Sequence, residues 1–132
     1  MVEAFELKRK GCYKQSIELY YKLLSNIGDD IEILTELSDL YFLLGNNERA
    51  MHYATKVLEI EPQHTGTLTV IRKIYLSEKK YNETEKISKQ IYELTKSEND
   101  LNDLLDILTV EEKYEEIILY TENNQETYLC FP

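Results

Sequence analysis

The two histidines and two cysteines of this chain are the residues best suited to metal binding or nucleophilic catalysis. His52 falls within a predicted helix, and His64 follows Pro62. Neither histidine has a second histidine or a cysteine at the spacing that zinc sites use. The sequence also lacks the glycine-rich phosphate-binding motifs and the G-x-S-x-G motif of hydrolases. We therefore predict no catalytic residue, no metal site and no cofactor.

Paired carboxylates are the other arrangement that suits catalysis. Asp29-Asp30, Glu111-Glu112 and Glu115-Glu116 lie at predicted turns and helix starts. Acidic side chains are favourable there because they face the positive end of the helix dipole. Residues 100–106 have the acidic composition of a calcium loop but lack its glycine and its closing glutamate. The acidic pairs are therefore expected to stabilise helix ends.

The chain that must position any such site is acidic. It has 132 residues, with 25 acidic and 15 basic side chains and a net charge of −10. Four glycines and two prolines are too few for a collagen or a barrel with many tight turns. Two cysteines are too few for a disulfide scaffold. The acidic balance argues against a nucleic-acid partner, whose binding surface would be basic.

The apolar segments are short, the longest running over residues 40–44. A membrane-spanning helix needs about 18 apolar residues, and no secretory signal is visible, so we expect no membrane partner and a cytoplasmic location. Cys12 and Cys130 are then expected to be reduced thiols. The alternative is an intermolecular disulfide through Cys130.

An internal repeat of 34, 34 and 33 residues organises the chain. Two sets of equivalent positions show it: Gly11, Gly45, Lys79 and Glu112, of which two are glycine, and Leu7, Tyr41, Tyr75 and Leu108, which are all leucine or tyrosine. Within a repeat, apolar residues recur at helical spacing. Gly45 is expected to end a first helix, Asn46 and Asn47 to cap a second, and Pro62 to stop it. Each repeat is therefore predicted to be a helix–turn–helix.

This pattern resembles the tetratricopeptide repeat, a helix–turn–helix of 34 residues. Residues 31–64 fit its motif best, with Leu34, Leu37, Ser38 and Tyr41 in the first helix and Ala50, Ala54 and Pro62 after it. The resemblance predicts an all-α fold, a right-handed superhelical solenoid of antiparallel helix pairs with about 3.5–4 repeats. It divides a single domain, 1–132, into a truncated first repeat 1–30, repeats 31–64, 65–97 and 98–123, and a tail 124–132.

The third and fourth repeats depart from the motif where paired helices approach most closely. Arg72 and Leu105 replace the small residue of the first helix, and Thr84 and Ile117 replace that of the second. Larger side chains there should separate or rotate the helices, so we expect looser packing in these repeats. The last helix is expected to end near Asn123. Three roles remain open for the apolar tail: folding back over the exposed end, docking on a second copy, or marking a cut from a longer array.

The resemblance implies that the first helix of each repeat lines a concave groove that binds a partner. The residues predicted to contact it are Phe5, Arg9, Asp39, Phe42, Leu43, Lys73 and Leu76. Phe42 and Leu43 extend the apolar run beyond a single buried stripe, which favours an anchor pocket; packing between repeats is the alternative. Tetratricopeptide domains that clamp a carboxylate use Lys, Asn, Asn, Lys and Arg at positions that here hold Met1, Phe5, Glu36, Gly66 and Val70, so that clamp is not expected.

Charge is unevenly distributed along the chain. Residues 65–97 carry seven basic and four acidic side chains, a net +3, whereas residues 98–132 carry one basic and ten acidic, a net −9. This polarity would either steer a basic partner or simply keep the chain in solution.

The sequence as a whole predicts a non-enzymatic protein–protein interaction module that binds a peptide or helix of a partner. The alternatives are a small acidic chaperone for unfolded or secreted clients and a regulatory subunit of a larger complex. A homodimer through the tail is a further possibility.

Overall fold

The computed structural model describes the backbone of residues 1–129 and the side chains of residues 1–122. Within residues 1–129 the chain forms eight helices and no strand, so the predicted all-α fold is confirmed. Two helices begin in each predicted repeat, and the last of them runs past the predicted end of the fourth repeat: α1 (Val2–Arg9) and α2 (Tyr13–Ile27), α3 (Ile31–Leu43) and α4 (Asn47–Ile60), α5 (Thr65–Ser77) and α6 (Tyr81–Thr95), α7 (Glu98–Val110) and α8 (Tyr114–Leu129).

The turn inside each repeat has the same backbone conformation. Gly11, Gly45, Lys79 and Glu112 all have positive φ, between 58° and 84°. In every repeat the next residue donates its N–H to the carbonyl five positions earlier: Cys12 to Leu7, Asn46 to Tyr41, Lys80 to Tyr75 and Lys113 to Leu108. These bonds define a Schellman motif, which satisfies carbonyls at a helix end. The two sets of repeated positions found in the sequence are therefore the two ends of one turn.

Side-chain caps fix the starts of several helices. The Asp30 carboxylate accepts from the Ile33 N–H at the start of α3, and the Asn46 amide oxygen accepts from Arg49 N–H at the start of α4, both at 3.1 Å. Asn46 thus caps α4 as predicted, whereas Asn47 is its first residue. The Ser97 hydroxyl caps α7 in the same way.

The last helix is longer than the sequence predicted. We expected it to end near Asn123, because equivalent apolar positions are replaced by Asn124 and Gln125, but α8 continues to Leu129. That prediction was wrong: residues 124–129 contain no proline or glycine to stop a helix. Cys130, and with it the predicted disulfide alternative, lies outside the described residues.

The chain divides into two compact units, Met1–Ile74 and a second that begins at Tyr75. The core of the first unit contains Ile17, Tyr20, Leu37, Leu40 and Ile74, all buried. The core of the second is built around Leu104, Ile107 and Leu108, with Tyr81, Tyr92, Ile117 and Tyr120 packed against it. The single-domain boundaries stay a prediction.

Small side chains allow close helix pairing in the first unit. The Ser38 hydroxyl of α3 donates to the Ala50 carbonyl of α4, and the Ser16 hydroxyl of α2 donates to the Ala4 carbonyl of α1, each at 2.7 Å. The serine is on the first helix of one repeat and on the second helix of the other, and the alanine stands at the facing position in both. Each hydroxyl reaches the facing backbone because nothing larger than a methyl group stands opposite it.

Candidate protein-binding surface

A pocket of about 440 Å³ opens in the first unit, between α1, α3 and the residue that precedes α5. Its apolar lining comes mostly from α1, and its polar lining from α3 and from His64. The lining residues are Met1, Val2, Phe5, Tyr20, Glu32, Thr35, Glu36 and His64. The volume falls within the range of about 300–1,000 Å³ that is typical of ligand sites, so it can hold a bulky side chain together with its neighbours.

The α1 side of this pocket is apolar and open to solvent. Met1, Val2 and Phe5 are 49%, 79% and 48% exposed, and they lie on one turn of the chain. Ala4 is buried against α2, which fixes the opposite face of α1. The exposed apolar side chains therefore form a continuous surface around the pocket mouth, which is more informative than single exposed residues.

Two carboxylates supply the charge at the pocket. Glu36 accepts a hydrogen bond from the Lys8 ammonium at 2.7 Å, and Lys8 also lies 2.7 Å from the Asp39 carboxylate. Glu32 is exposed in the first turn of α3 and forms no ion pair within the described part of the chain. No lysine or arginine side chain lines the pocket. The charged side chains of its lining are therefore the carboxylates of Glu32 and Glu36.

The electrostatics of the network follow from this geometry. Burial by itself would lower the pKa of the Lys8 ammonium, but the hydrogen bonds from Lys8 to Asp39 and Glu36 outweigh it and raise that pKa. Burial raises the pKa of the Tyr20 hydroxyl, and the negative charge of Glu36 adds to the effect. Lys8 is thus held charged beside the pocket, and Tyr20 is held neutral in its wall.

A hydrogen-bonded chain connects the α3 and α5 sides of the pocket. The Thr35 hydroxyl donates to the Ile31 carbonyl at 2.7 Å and lies 3.0 Å from the buried Thr67 hydroxyl. His64 Nδ1 lies 2.8 Å from that Thr67 hydroxyl and 3.2 Å from the Thr67 backbone N. Gly66 leaves room for this arrangement, because a Cβ there would stand 3.1 Å from His64 Cε1. The imidazole is therefore held in place at the pocket.

Four of the predicted contact residues belong to this region of the first unit. Phe5 lines the pocket itself. Asp39 lies between two cations, with Lys8 at 2.7 Å and the half-exposed Lys73 at 3.8 Å. Arg9 pairs with Glu6 at 3.2 Å on the surface of α1. Arg9 and Lys73 are thus already paired with acids of this chain.

The other three predicted residues are more widely distributed. Phe42 is only partly exposed and packs against the core of the first unit, as the packing interpretation of this residue requires. Leu43 is 44% exposed at the end of α3. Leu76 is also exposed, but it belongs to the second unit. The grouping of Phe42, Leu43 and Leu76 into one anchor pocket therefore stays a prediction of the sequence.

Several pocket residues were absent from the predicted site: Met1, Val2, Tyr20, Glu32, Thr35, Glu36 and His64. A signal for part of this set was present in the sequence. Met1, Phe5 and Glu36 occupy positions where a carboxylate clamp would carry polar and basic residues, and they are apolar or acidic instead. Those substitutions exclude the clamp and also describe an apolar, acidic pocket at the same place.

The second unit has a charged cluster centred on Glu85, which is almost fully buried. Lys113 donates to its carboxylate at 2.6 Å, and Lys89 lies 3.3 Å away. Lys89 also reaches Glu116 at 3.1 Å, and Lys113 lies 3.6 Å from Glu111. Each of these five side chains has an ion-pair partner within the cluster, although one carboxylate oxygen of Glu111 and one of Glu116 are buried without a hydrogen-bond partner. This geometry indicates a structural role.

Two further features of the described residues bear on function. No group of three or more His, Cys, Asp or Glu side chains among them is placed to hold a metal ion. Among the same residues, none of the helices combines the length and the apolar character that crossing a membrane requires. Cys12, partly buried at the start of α2, carries a free thiol.

With this geometry in hand, comparison with solved structures defines the fold as that of the tetratricopeptide repeat, which confirms the predicted resemblance at the level of fold. The first such domain of Spaghetti (RPAP3), bound to the HSP90 peptide SRMEEVD, superimposes with a TM-score of 0.75 at 17% identity. That match covers 83% of this chain and 88% of the other.

Two further structures show the same similarity. The tetratricopeptide domain of Sgt2 from Aspergillus fumigatus matches with a TM-score of 0.74 and 17% identity, over 87% of this chain and 78% of that one. A tetratricopeptide repeat protein from Parabacteroides merdae matches at 0.72 and 23% identity, over 86% of this chain and 44% of that one. No protein-family model matches the sequence. No curated protein matches it either. The similarity therefore establishes the fold alone.

Proposed function

We propose that this protein is a non-enzymatic interaction module that binds a peptide or helix of another protein on the face formed by the first helices of its repeats. The observation that carries the proposal is the open apolar pocket between α1 and α3. Support also comes from the RPAP3 domain, a structure of the same fold that is bound to a peptide. A fold of stacked helix pairs offers such surfaces without needing a reactive group.

The proposal is tested by mapping where a captured protein binds. Wild-type protein and the variants Phe5→Ala and Leu43→Ala are immobilised and exposed to extract, and the region of any captured protein that survives proteolysis is made as a synthetic peptide. We expect this peptide to shift NMR signals of α1 and α3 and to bind at least one variant more weakly. Shifts confined to α2 and α4 would contradict the proposal.

Phe42→Ala is the control for packing in this experiment. Phe42 contacts the core of the first unit, so its truncation is expected to lower the melting temperature. A lower melting temperature with unchanged peptide affinity assigns Phe42 to packing. Unchanged stability with weaker binding would restore it to the contact surface that the sequence predicted.

A small acidic chaperone is the second candidate, favoured by one observation in the second unit. Val110, Tyr114, Ile118 and Leu119 are all more than half exposed around the turn from α7 to α8. An exposed apolar patch of this kind suits the unspecific binding of unfolded clients. Suppression of the aggregation of a reduced, unfolded test protein at equimolar ratio would support this candidate. Capture of one folded partner at a fixed ratio would instead support the interaction module or a regulatory subunit.

Three narrower points also belong to the proposal. A homodimer through the tail involves residues 124–132, of which Cys130–Pro132 lie outside the described part of the chain. The molar mass from light scattering decides it, because a monomer mass at high concentration would rule the homodimer out. A cytoplasmic location and the absence of nucleic-acid and membrane partners stay predictions of the sequence.

A further inference from the structure

We infer that the pocket of the first unit binds a bulky apolar side chain of a partner segment that carries a lysine or arginine directly beside it. This rests on the proposed function and specifies its ligand. The apolar part of the inference comes from Met1, Val2 and Phe5, which remain exposed at the mouth of a 440 Å³ pocket. A leucine, methionine or aromatic side chain would remove these three residues from water on binding.

The charged part comes from the way the local ion pairs are distributed. Glu36 and Asp39 share Lys8, and Asp39 also faces Lys73, so these four charges balance. Glu32 remains as a carboxylate at the pocket with no ion pair in the described residues. A basic side chain of the partner would supply the missing counter-charge. An acidic one would meet Glu32 and Glu36 with like charge, which disfavours binding.

This chemistry is the reverse of that of the peptide seen on a similar fold. The RPAP3 domain holds SRMEEVD, which contains three acidic residues at its end. The present chain has Met1, Phe5 and Glu36 at positions where the carboxylate clamp would place lysine and asparagine. The pocket is therefore built to reject an acidic segment as well as to accept a basic one, and specificity needs both.

The imidazole of His64 forms the wall of the pocket on the α5 side. Its Nδ1 lies within hydrogen-bond distance of the Thr67 hydroxyl and backbone N, so moving the ring to admit a larger group would break these bonds. A Cβ at Gly66 would stand 3.1 Å from the ring and displace it. Gly66→Ala therefore alters the pocket wall, while alanine favours the helix by about 1 kcal/mol.

The test uses five N-acetylated nonapeptides titrated into labelled protein and followed by NMR, of which four are amidated and the fifth keeps a free C-terminal carboxylate. Three share a central leucine and carry lysine, glutamine or glutamate on both sides; one has lysines around a central alanine; the last is SRMEEVD extended by two N-terminal glycines. We expect affinity in the order lysine, glutamine, glutamate, with the lysine peptide about tenfold tighter than its alanine-centred control. SRMEEVD is expected not to bind, and the shifted signals should belong to α1 and the start of α3.

Matched variants separate the pocket from its surroundings. Phe5→Ala should lower the affinity for the lysine peptide about tenfold. Leu43 is exposed but lies outside the pocket, so Leu43→Ala should leave that affinity unchanged. Glu32→Lys should reverse the charge preference. Glu48→Lys is its control, because Glu48 also lies exposed in the first turn of a helix, away from the pocket. Gly66→Ala should weaken binding without lowering the melting temperature.

The outcomes distinguish this inference from the function on which it rests. Equal affinity for the lysine and glutamate peptides, or no binding of any of them, overturns the inference. A captured partner peptide that depends on Leu43 but not on Phe5 or Glu32 also overturns it, while leaving the interaction module intact. If the nonapeptides do not bind at the pocket and the captured peptide does not shift signals of α1 and α3, the proposed function is overturned as well.

Discussion

The helix pairs α3–α4 and α7–α8 occupy equivalent repeats but differ in the size of the residues between them. Ser38 and Ala50 meet in the first pair, where the hydroxyl bonds the facing carbonyl at 2.7 Å. Leu105 and Ile117 stand at the same positions in the other pair. The backbones of α3 and α4 approach more closely than those of α7 and α8. We infer that the size of these two side chains limits how closely the two helices of a repeat pair. The looser packing expected for the fourth repeat stays a prediction.

The charged networks of the two units are also opposites. In the first, a lysine, Lys8, is held by the carboxylates of Glu36 and Asp39. In the second, a glutamate, Glu85, is held by Lys89 and Lys113. The second network lies among many uncompensated acids, because residues 98–132 carry a net −9 from one basic and ten acidic side chains. The two units should therefore respond differently to pH.

The largest expected effect is a difference in how the two cores tolerate a cavity. Leu37 and Leu104 occupy equivalent positions and are both fully buried. We expect Leu37→Ala to cost about 4–5 kcal/mol and Leu104→Ala about 2–3 kcal/mol, since a loosely closed repeat can collapse into the space. Denaturant unfolding, with hydrogen exchange to localise the loss, measures both. Equal losses of stability in the two variants would show that close pairing of the helices does not limit how far the core relaxes into the cavity.

Overpacking the tight pair is the next test. Ala50 is fully buried at the crossing of α3 and α4, so Ala50→Leu should force the helices apart and cost about 2–3 kcal/mol. The conservative control Ala50→Ser keeps the volume small and should change stability little. Wild-type stability in Ala50→Leu would mean that the small residue is not what allows the close approach.

Substitutions at the positive-φ residues of the turns should change stability by a smaller amount, and with opposite sign in the two units. Lys79 and Glu112 adopt positive φ without being glycine, whereas Gly45 adopts it freely. Lys79→Gly and Glu112→Gly should each stabilise the protein by about 1 kcal/mol, and Gly45→Ala should destabilise it by a similar amount. Thermal unfolding of the three variants checks the signs. A loss of stability in both glycine variants would contradict the strain argument.

The smallest effect is the acid response of the second unit. Burial alone would raise the pKa of Glu85, but hydrogen bonds from Lys113 and Lys89 outweigh it and lower that pKa. The resulting stabilisation is complete above the ordinary glutamate pKa, about 4.3, and is lost as the pH falls through the lower folded value. Glu85→Gln should therefore destabilise the second unit at neutral pH, and the difference from wild type should shrink in acid.

Glu111→Gln is the matched control for this titration. Burial raises the pKa of Glu111, and the negative charge of Glu85 raises it further. Its folded pKa lies above the unfolded one, so its protonated form is favoured and stability is lost as the pH rises through that value. Glu111→Gln should accordingly stabilise at neutral pH and lose this advantage in acid. Parallel pH profiles for the two variants would show that the cluster does not act as described.

Much of the fold was predictable because its causes are local. The turn at Gly45, the cap at Asn46 and the stop before Pro62 each depend on a few neighbouring residues, and the repeat multiplied that signal. The end of α8 was missed for a related reason. Loss of the apolar repeat positions at Asn124 and Gln125 removes packing partners, but it does not break the backbone hydrogen bonds that continue the helix.

The candidate site was less predictable, because it depends on which side chains neighbouring helices bring together. Repeat positions placed Phe5 among the contact residues, and its side chain is exposed at the pocket, yet they grouped it with Phe42, which the core of the first unit partly buries. The sequence drew attention to His64 only as a possible metal ligand and gave Glu32 no role. The structure places both in the pocket lining, where the His64 imidazole caps α5.

The position of Met1 in the pocket wall has a practical consequence for anyone who produces this protein. An affinity tag fused ahead of Met1 would place extra chain at the pocket mouth, where it could occupy the site or block it. A binding assay with such a fusion would then measure competition between the tag and the partner for the pocket. Screens that compare cleaved and uncleaved material will show how much of any negative result comes from the expression vector.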